Sequence, residues 1–209
     1  MNDLRYRLAI EVRDDTLDYE ASVEISARDL PRALSLDSVG HTVRSVRSEG
    51  RPVTLHRPDG APDRLELSGL PTGAHSVRVE FSGRVDDHGL RGFHVSPLGP
   101  GRIYSTYLEP TGARRLLPCL DRPDEKAVFE VEVVAPDSSK VISNTLATQV
   151  EPLEGHRRRH RFAPTPPMST YLLYLGIGPF EELASERSDP QVILATSPGT
   201  SAQGRFALE

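Results

Sequence analysis

The amino-acid sequence predicts an all-β fold, built as an antiparallel sandwich or curved sheet with one short helical loop. Segments in which apolar and polar residues alternate recur along the chain, and this period of two is typical of strands with one wet face. The chain also holds 18 prolines and 16 glycines, several of them in turn clusters between these segments. No long apolar pattern of period 3.6 occurs before the carboxyl end, so an α/β arrangement is disfavoured.

Four segments carry the strand pattern most clearly. Apolar side chains occupy every second position in each, and charged or small polar residues stand between them. The apolar positions are Tyr6, Leu8, Ile10 and Val12; Tyr19, Ala21, Val23 and Ile25; Val77, Val79 and Phe81; and Phe129, Val131 and Val133. We expect strands over these segments, and the short connections favour antiparallel pairing.

Turns are predicted where proline, which fixes φ, stands close to glycine, which adopts positive φ at little cost. Three such clusters cover residues 57–60, 70–73 and 97–100. Residues 109–127 are the one helix-friendly interval, and prolines limit it to one or two short turns because proline lacks the helical N–H donor. We expect a structured loop there between strands.

The carboxyl end changes character after residue 196. Residues 197–204 are small and polar, which is typical of a linker, and residues 205–209 resemble the start of a helix. The predicted organisation is therefore a β domain over residues 1–196, followed by a linker and the truncated start of another domain over residues 197–209. Residues 208–209, Leu-Glu, also fit a cloning scar.

Composition disfavours several classes of protein. The formal charge is −5, from 25 Lys plus Arg against 30 Asp plus Glu, so no global positive field attracts nucleic acid. No stretch approaches the roughly 20 apolar residues that cross a bilayer. The single cysteine, Cys119, cannot form an internal disulfide, and the amino terminus begins with polar residues instead of an apolar signal segment. We expect a cytoplasmic protein without membrane or nucleic-acid partners.

Internal candidates for chemistry are weak. His156 and His160 have the spacing of a zinc-peptidase motif, but arginine stands where the general base belongs. On a strand, four residues separate two rings by roughly 13 Å, which is too far to share one metal. Four arginines in the same stretch could contact phosphate, although a short basic hairpin is more often a solvated surface. Cys119 lies between prolines and apolar residues, which predicts a small buried thiol.

Several sequence blocks are more specific. The longest covers residues 106–123, Thr-Tyr-Leu-Glu-Pro-Thr-Gly-Ala-Arg-Arg-Leu-Leu-Pro-Cys-Leu-Asp-Arg-Pro, and Asp-Glu-Lys-Ala-Val-Phe continues it. The others are Gly-Leu-Arg-Gly-Phe at residues 89–93, Ser-Asn at 143–144 and Pro-Met-Ser-Thr-Tyr-Leu-Leu at 167–173. In order and along essentially the whole chain, these blocks resemble the amino-terminal β domain of the aminopeptidase N family of zinc peptidases, the gluzincin aminopeptidases.

The resemblance implies a saddle-like β domain that packs on a thermolysin-like catalytic domain of the same chain. The family's exopeptidase loop, Gly-x-Met-Glu-Asn, and its His-Glu-x-x-His zinc motif are absent from residues 1–209. The resemblance thus predicts no catalytic residue and no metal ligand in this chain, which would be inactive alone. Zinc would belong to the catalytic domain beyond residue 209. A noncatalytic protein-interaction module related to the same family is the alternative function.

The resemblance also assigns a substrate-binding residue. Glu109 stands where the family places a Glu or Gln that binds the free α-amino group of a peptide. Tyr107 replaces the usual Gln after the Thr, and we expect it to line the pocket for the first substrate side chain. Without the resemblance, Glu109 would be interpreted as a helix-start carboxylate near the positive end of a helix dipole.

Other matching residues are expected to have structural roles. A guanidinium paired with a carboxylate can hold a proline-broken loop, and this scaffold would keep Glu109 in place. Residues of this kind are Arg114, Arg115 and Asp121. Residues 168–171 are expected to pack in the core or against the neighbouring domain.

Overall fold

The structure, a computed structural model, describes residues 3–98, 101–185 and 192–208. In chain order the strands are β1 (Arg5–Glu11), β2 (Asp18–Ser26), β3 (Ala33–Asp37), β4 (Thr42–Ser48), β5 (Arg51–Pro52), β6 (Thr54–His56), β7 (Arg64–Ser68), β8 (Ser76–Arg84), β9 (Gly92–Leu98), β10 (Gly101–Tyr107), β11 (Val128–Pro136), β12 (Lys140–Ser143), β13 (Ala147–Leu153), β14 (Arg157–Phe162), β15 (Leu175–Gly178), β16 (Glu181–Ala184) and β17 (Ile193–Thr196). Short 3-10 helices cover Ala113–Arg115, Thr170–Leu172 and Ser201–Leu208. The predicted all-β class is confirmed.

The strands form four sheets within the described residues. The largest has eight strands in the order β13-β14-β11-β1-β2-β8-β4-β5, and a four-stranded sheet has the order β12-β15-β10-β9. A three-stranded sheet, β3-β7-β6, and the β16-β17 hairpin complete the set. The four predicted strand segments are β1, β2, β8 and β11, and all four belong to the eight-stranded sheet.

One pair of strands departs from the antiparallel expectation. β1 pairs antiparallel with β2 on one side but parallel with β11 on the other, with Tyr6 opposite Phe129. Parallel neighbours need a long crossover connection, and the chain between β1 and β11 supplies one. The alternation of apolar and polar residues indicates which face of each strand is buried. It does not indicate whether β1 and β11 pair in the parallel or the antiparallel direction.

A single apolar core lies on the inner face of the eight-stranded sheet. Tyr6, Leu8 and Ile10 of β1 are buried there, as the alternation predicted. The rings of Tyr6 and Phe129 stack with their centroids 5.1 Å apart. Cys119 is fully buried, which confirms the predicted buried thiol. Burial first, and then the neighbouring Asp121 carboxylate, raise the pKa of this thiol, so the neutral form is favoured.

The outer face of the same sheet carries ion pairs that involve the arginine-rich hairpin. Arg159 and Arg161 of β14 both bind Glu132 of β11 and Glu151 of β13, at 2.9 to 3.5 Å. Arg157 binds Glu11 at 2.6 Å. These guanidiniums therefore already have carboxylate partners, as expected of a solvated charged face.

The two histidines of that hairpin lie in different environments. His156 occupies the turn at a φ of 55° and its side chain is 96% exposed, whereas His160 is buried in β14. A shared metal ion would need one nitrogen of each imidazole within about 2 Å of the same point. This geometry gives no support to a shared metal ion.

The turns and the chain ends agree in part with those predicted from the sequence. Residues 57–60 and 70–73 end in turns, with Gly60 and Gly73 at positive φ, whereas residues 99 and 100 of the third predicted cluster lie outside the described residues. The helix Ser201–Leu208 begins four residues before the helix start that the sequence predicts at residue 205. Met1, Asn2 and Glu209, which belong to the predictions for the chain ends, also lie outside the described residues.

Across the described part of the chain, no helix is long and apolar enough to span a bilayer.

A polar group of three side chains lies within the core. The Ser38 hydroxyl lies 2.9 Å from His41 Nδ1, and the Tyr19 hydroxyl lies 3.1 Å from His41 Nε2. All three residues are buried. Burial lowers the pKa of His41 from its usual 6.5 to about 4, and two neighbouring backbone carbonyls offset part of this effect.

Acidification is therefore expected to destabilise the chain before its carboxylates titrate. The unfolded chain, in which the pKa of histidine is about 6.5, takes up a proton before the folded chain does, so His41 should cost about 2 kcal/mol of unfolding free energy between pH 7 and pH 5. Urea unfolding at the two pH values measures this loss. His41→Asn should reduce the pH dependence, and His88→Ala, at a histidine with an exposed side chain, is the control. An unchanged pH dependence in His41→Asn would contradict the assignment.

Candidate functional site

Strand β10 ends at the predicted site. Leu108 follows the strand and is buried, and its neighbours Tyr107 and Glu109 are both exposed, Tyr107 by 51%. The peptide bond between Glu109 and Pro110 is cis. The buried leucine fixes this segment to the core, so the two predicted binding residues stand at the surface on either side of an anchored position.

The Glu109 carboxylate has no partner in the described structure. Within residues 3–98, 101–185 and 192–208, no group forms a hydrogen bond or ion pair with it, and none bonds the Tyr107 hydroxyl. The helix-start interpretation of Glu109 is not supported, because the nearest helix begins at Ala113 with Gly112 as its N-cap and has no acidic residue in its first turn. The carboxylate is exposed and available to a ligand.

The loop after Glu109 closes tightly on itself. The Gly112 N–H donates to the Leu108 carbonyl at 2.6 Å, and the Arg115 N–H donates to the Gly112 carbonyl at 3.0 Å. A Cβ atom at Gly112 would stand 2.8 Å from Leu108 Cα and 3.0 Å from two backbone carbonyl oxygens. Glycine is required here for space and not for backbone conformation, because its φ is an ordinary −88°.

Gly112→Ala is accordingly expected to destabilise the chain by about 1–3 kcal/mol, as overpacking typically does. The added methyl group would meet backbone atoms, which cannot move without opening the turn that follows Glu109. Urea unfolding of the variant measures the effect. Gly101→Ala is a suitable control because its methyl would meet neighbouring atoms at an ordinary 3.5 Å. Equal stability of the two variants would contradict the steric explanation.

A buried ion-pair cluster holds the other end of the loop. Arg114 Nε donates to Asp121 Oδ2 at 2.8 Å, and its Nη1 lies 3.4 Å from Asp37 and 3.8 Å from Asp63. The Asp121 side chain is only 1% exposed and also accepts a hydrogen bond from the Thr170 hydroxyl at 2.9 Å. Arg114 and Asp121 thus make the predicted pair across the loop, whereas Arg115 has no such contact among the described residues.

The block at residues 168–171 packs within the domain. Ser169 and Thr170 are buried, and Met168 bridges to Ala127 by two backbone hydrogen bonds. The Ser169 hydroxyl donates to the Pro123 carbonyl at 2.8 Å and lies 2.5 Å from Lys126 Nζ. The block therefore holds the end of the loop through both backbone and side-chain hydrogen bonds.

Large apolar side chains are exposed around the end of that sheet. Leu90 precedes β9, Tyr107 ends β10, and Leu172 and Tyr174 precede β15, and each is between 37% and 63% exposed. The Tyr174 hydroxyl lies 3.4 Å from Ser105 Oγ on β10. We refer to these four apolar residues as the rim patch. Their common position at one end of the sheet makes this end a candidate contact surface.

The described residues hold no group of three or more His, Cys, Asp or Glu side chains arranged to bind a metal ion. A zinc ion would need three or four such ligands.

Comparison with known proteins identifies the family. Residues 2–172 match the Peptidase M1 N-terminal domain. The chain is 35% identical over 209 residues to a protein named "Probable aminopeptidase 1" from Sulfurisphaera tokodaii, and 36% identical over 191 residues to a protein of the same name from Saccharolobus solfataricus. It is 34% identical over 206 residues to "Leucyl aminopeptidase" from Saccharolobus solfataricus. These alignments cover 100%, 91% and 98% of this chain but only 26%, 24% and 26% of the relatives. The chain spans about a quarter of the length of these relatives, and it belongs to the family of M1 peptidase N-terminal domains.

Proposed function

We propose that this chain is the amino-terminal substrate-recognition domain of a zinc aminopeptidase that removes amino-terminal residues from peptides. The observation that carries the proposal is the exposed Glu109 carboxylate, which has no partner within the described residues. A peptide α-amino group has a pKa of about 8 and is largely cationic near neutrality, so a fixed carboxylate forms a charge-assisted hydrogen bond with it.

Such a contact selects for chain ends. An internal peptide bond offers no ammonium group, so Glu109 would hold a substrate by its first residue and orient the scissile carbonyl. Zinc would supply the hydrolytic chemistry when bound, held by residues that lie outside this chain. On its own, this chain would bind substrate ends weakly and would not hydrolyse them.

Tyr107 is the second proposed binding residue. It is half exposed at the end of β10, two residues before Glu109, so the first substrate side chain would pass close to its ring. A phenol is larger than the Gln expected from the resemblance, and it presents an apolar face with a polar tip. The name of the leucyl aminopeptidase relative makes a leucyl compound a sensible first substrate to test.

The rest of the parent protein is the proposed partner of the rim patch. Leu90, Leu172 and Tyr174 surround the end of the sheet that carries Tyr107, and burying them against another domain would remove an exposed apolar surface. That domain would provide the opposite wall of the substrate cleft. We propose that the parent works in the cytoplasm.

The test compares the full-length parent protein with the 209-residue chain. Zinc content and the release of dye from an L-leucyl anilide are measured for both, with an N-acetylated leucyl anilide as the control that lacks an ammonium group. We expect zinc and turnover in the full-length protein only, and no turnover of the acetylated compound. A full-length protein without zinc or turnover would instead indicate the noncatalytic interaction module, and zinc-dependent turnover by the chain alone would refute both.

A further inference from the structure

Tyr19 on β2 contacts the loop of residues 109–127, which begins at Glu109, from inside the core. Its hydroxyl lies 2.9 Å from the Leu116 carbonyl oxygen and 3.3 Å from that of Arg115, where the helix Ala113–Arg115 ends. Tyr19 is only 1% exposed, and 97 positions separate it from Leu116 in the sequence. A residue that the sequence identified only as part of a strand core therefore makes a specific polar contact with the loop that follows Glu109.

Gly83 provides the space for this contact. Gly83 of β8 pairs directly with Tyr19, and a Cβ atom at Gly83 would overlap the phenol ring and hydroxyl of Tyr19. The backbone of Gly83 does not have a positive φ, so the glycine is needed for close approach and not for its conformation. The ring can lie across β8 and reach the loop only because no side chain stands there.

His41 and Ser38 extend the contacts of the Tyr19 hydroxyl into the core. A phenol has one proton, and when Tyr19 donates it to the Leu116 carbonyl, its oxygen is left to accept from His41 Nε2. His41 Nδ1 then accepts from the Ser38 hydroxyl. Each member of this buried group thus has a partner, and the Tyr19 hydroxyl lies between His41 and the loop.

Backbone hydrogen bonds connect that contact to Glu109. The Leu116 N–H donates to the Ala113 carbonyl at 2.9 Å, and the turn before it closes through the bond from Gly112 to the Leu108 carbonyl. Leu108 immediately precedes Glu109. The Tyr19 contact and Glu109 therefore lie at the two ends of one short hydrogen-bonded stretch of the loop.

We propose that Tyr19, seated on Gly83 and oriented by His41, is a positioning residue for the substrate-binding carboxylate of Glu109. This inference rests on the proposed function, in which Glu109 binds the substrate amine. Tyr19 touches no substrate itself. Its role is to hold the loop so that the carboxylate is already in place when the amino terminus of a peptide arrives.

The test is a double-mutant cycle in the full-length protein. The kcat and KM for an L-leucyl anilide are measured for the wild type, Tyr19→Phe, Glu109→Ala and the double variant, and thermal unfolding reports the folded fraction of each. Tyr19→Phe keeps the ring and removes only the hydroxyl. We expect it to lower kcat/KM about fivefold, mainly through KM, and to have less than about a twofold effect when Glu109 is already alanine, because contacts that act through one another are not additive.

Two further variants make the test specific. Gly83→Ala should reproduce the kinetic effect of Tyr19→Phe, because its methyl group displaces the same hydroxyl. Tyr104→Phe is the matched control, since the Tyr104 hydroxyl is buried but has no hydrogen-bond partner among the described residues, and kcat/KM should not change.

The outcomes separate the two proposals. A wild-type kcat/KM in Tyr19→Phe would overturn the positioning role while leaving the amine-binding role intact. So would a loss of kcat/KM on Tyr19→Phe that is equally large in the wild-type and Glu109→Ala backgrounds. A wild-type kcat/KM in Glu109→Ala would refute the amine-binding role itself. If Gly83→Ala does not fold, His41→Asn replaces it, because this variant removes the bond that orients the hydroxyl.

Discussion

Replacing Glu109 with alanine in the full-length parent protein is expected to reduce kcat/KM for a leucyl anilide by about 30-fold to several thousandfold, which corresponds to roughly 2–5 kcal/mol. The loss is large because a substrate ammonium would be left in a closed cleft without its counter-charge. Steady-state kinetics on the purified variant measures it. The folded structure should not change, since the described residues form no hydrogen bond or ion pair with this side chain.

Two substitutions define the cause of that loss. Glu109→Gln keeps a hydrogen-bond acceptor and removes the charge, so it should retain part of the activity that Glu109→Ala loses. Asp124→Ala removes an exposed carboxylate farther along the same loop and should leave kcat/KM close to the wild-type value. If Asp124→Ala were as damaging as Glu109→Ala, a general electrostatic effect would explain the data better than a specific amine contact.

Replacing Asp121 with alanine is expected to cost about 3–5 kcal/mol of unfolding free energy, the usual result of removing one partner from a buried ion pair. Arg114 would lose its 2.8 Å contact, and the buried hydroxyl of Thr170 would lose its acceptor. Urea unfolding of the 209-residue chain measures the loss. We also expect weaker substrate binding by the parent protein, because the loop after Glu109 ends at this pair.

Asp63→Ala provides the internal comparison. Asp63 approaches the same guanidinium at 3.8 Å, but its side chain is 51% exposed, and exposed ion pairs contribute only about 0–1 kcal/mol. The two variants remove the same chemical group from the same arginine and differ mainly in burial. Similar losses from both would show that the burial of Asp121 is not what makes its pair important.

The sequence predicted those parts of the fold that depend on a repeated local pattern. Alternation placed Tyr6, Tyr19, Phe81 and Phe129 in the core, and all are buried. The prolines of residues 109–127 correctly predicted a loop with only a short helix. Such patterns report which face of a strand is apolar or where a helix must stop, and those properties are set by neighbouring residues in the chain.

Contacts between residues far apart in the sequence leave no such local pattern. Nothing local in the sequence indicates that β1 and β11 run parallel, or that Tyr19 lies on Gly83 and reaches Leu116. A tyrosine in a strand pattern is ordinarily a core residue, and the destination of its hydroxyl depends on the tertiary structure. Glu109 was identified from the family resemblance, because composition alone favoured an ordinary helix-start carboxylate. Its binding role stays a prediction.

The parallel pairing of β1 with β11 has a consequence for the synthesis of the protein. β1 lies between β2 and β11 in the eight-stranded sheet. One edge of β1 therefore has no pairing partner until β11, which ends at Pro136, has been synthesised. At about 5–20 residues per second, the ribosome needs several seconds to tens of seconds to make the intervening chain. During that interval the nascent protein carries an unpaired strand edge in what will become the middle of the sheet, and such an edge is where chaperones or aggregation act first.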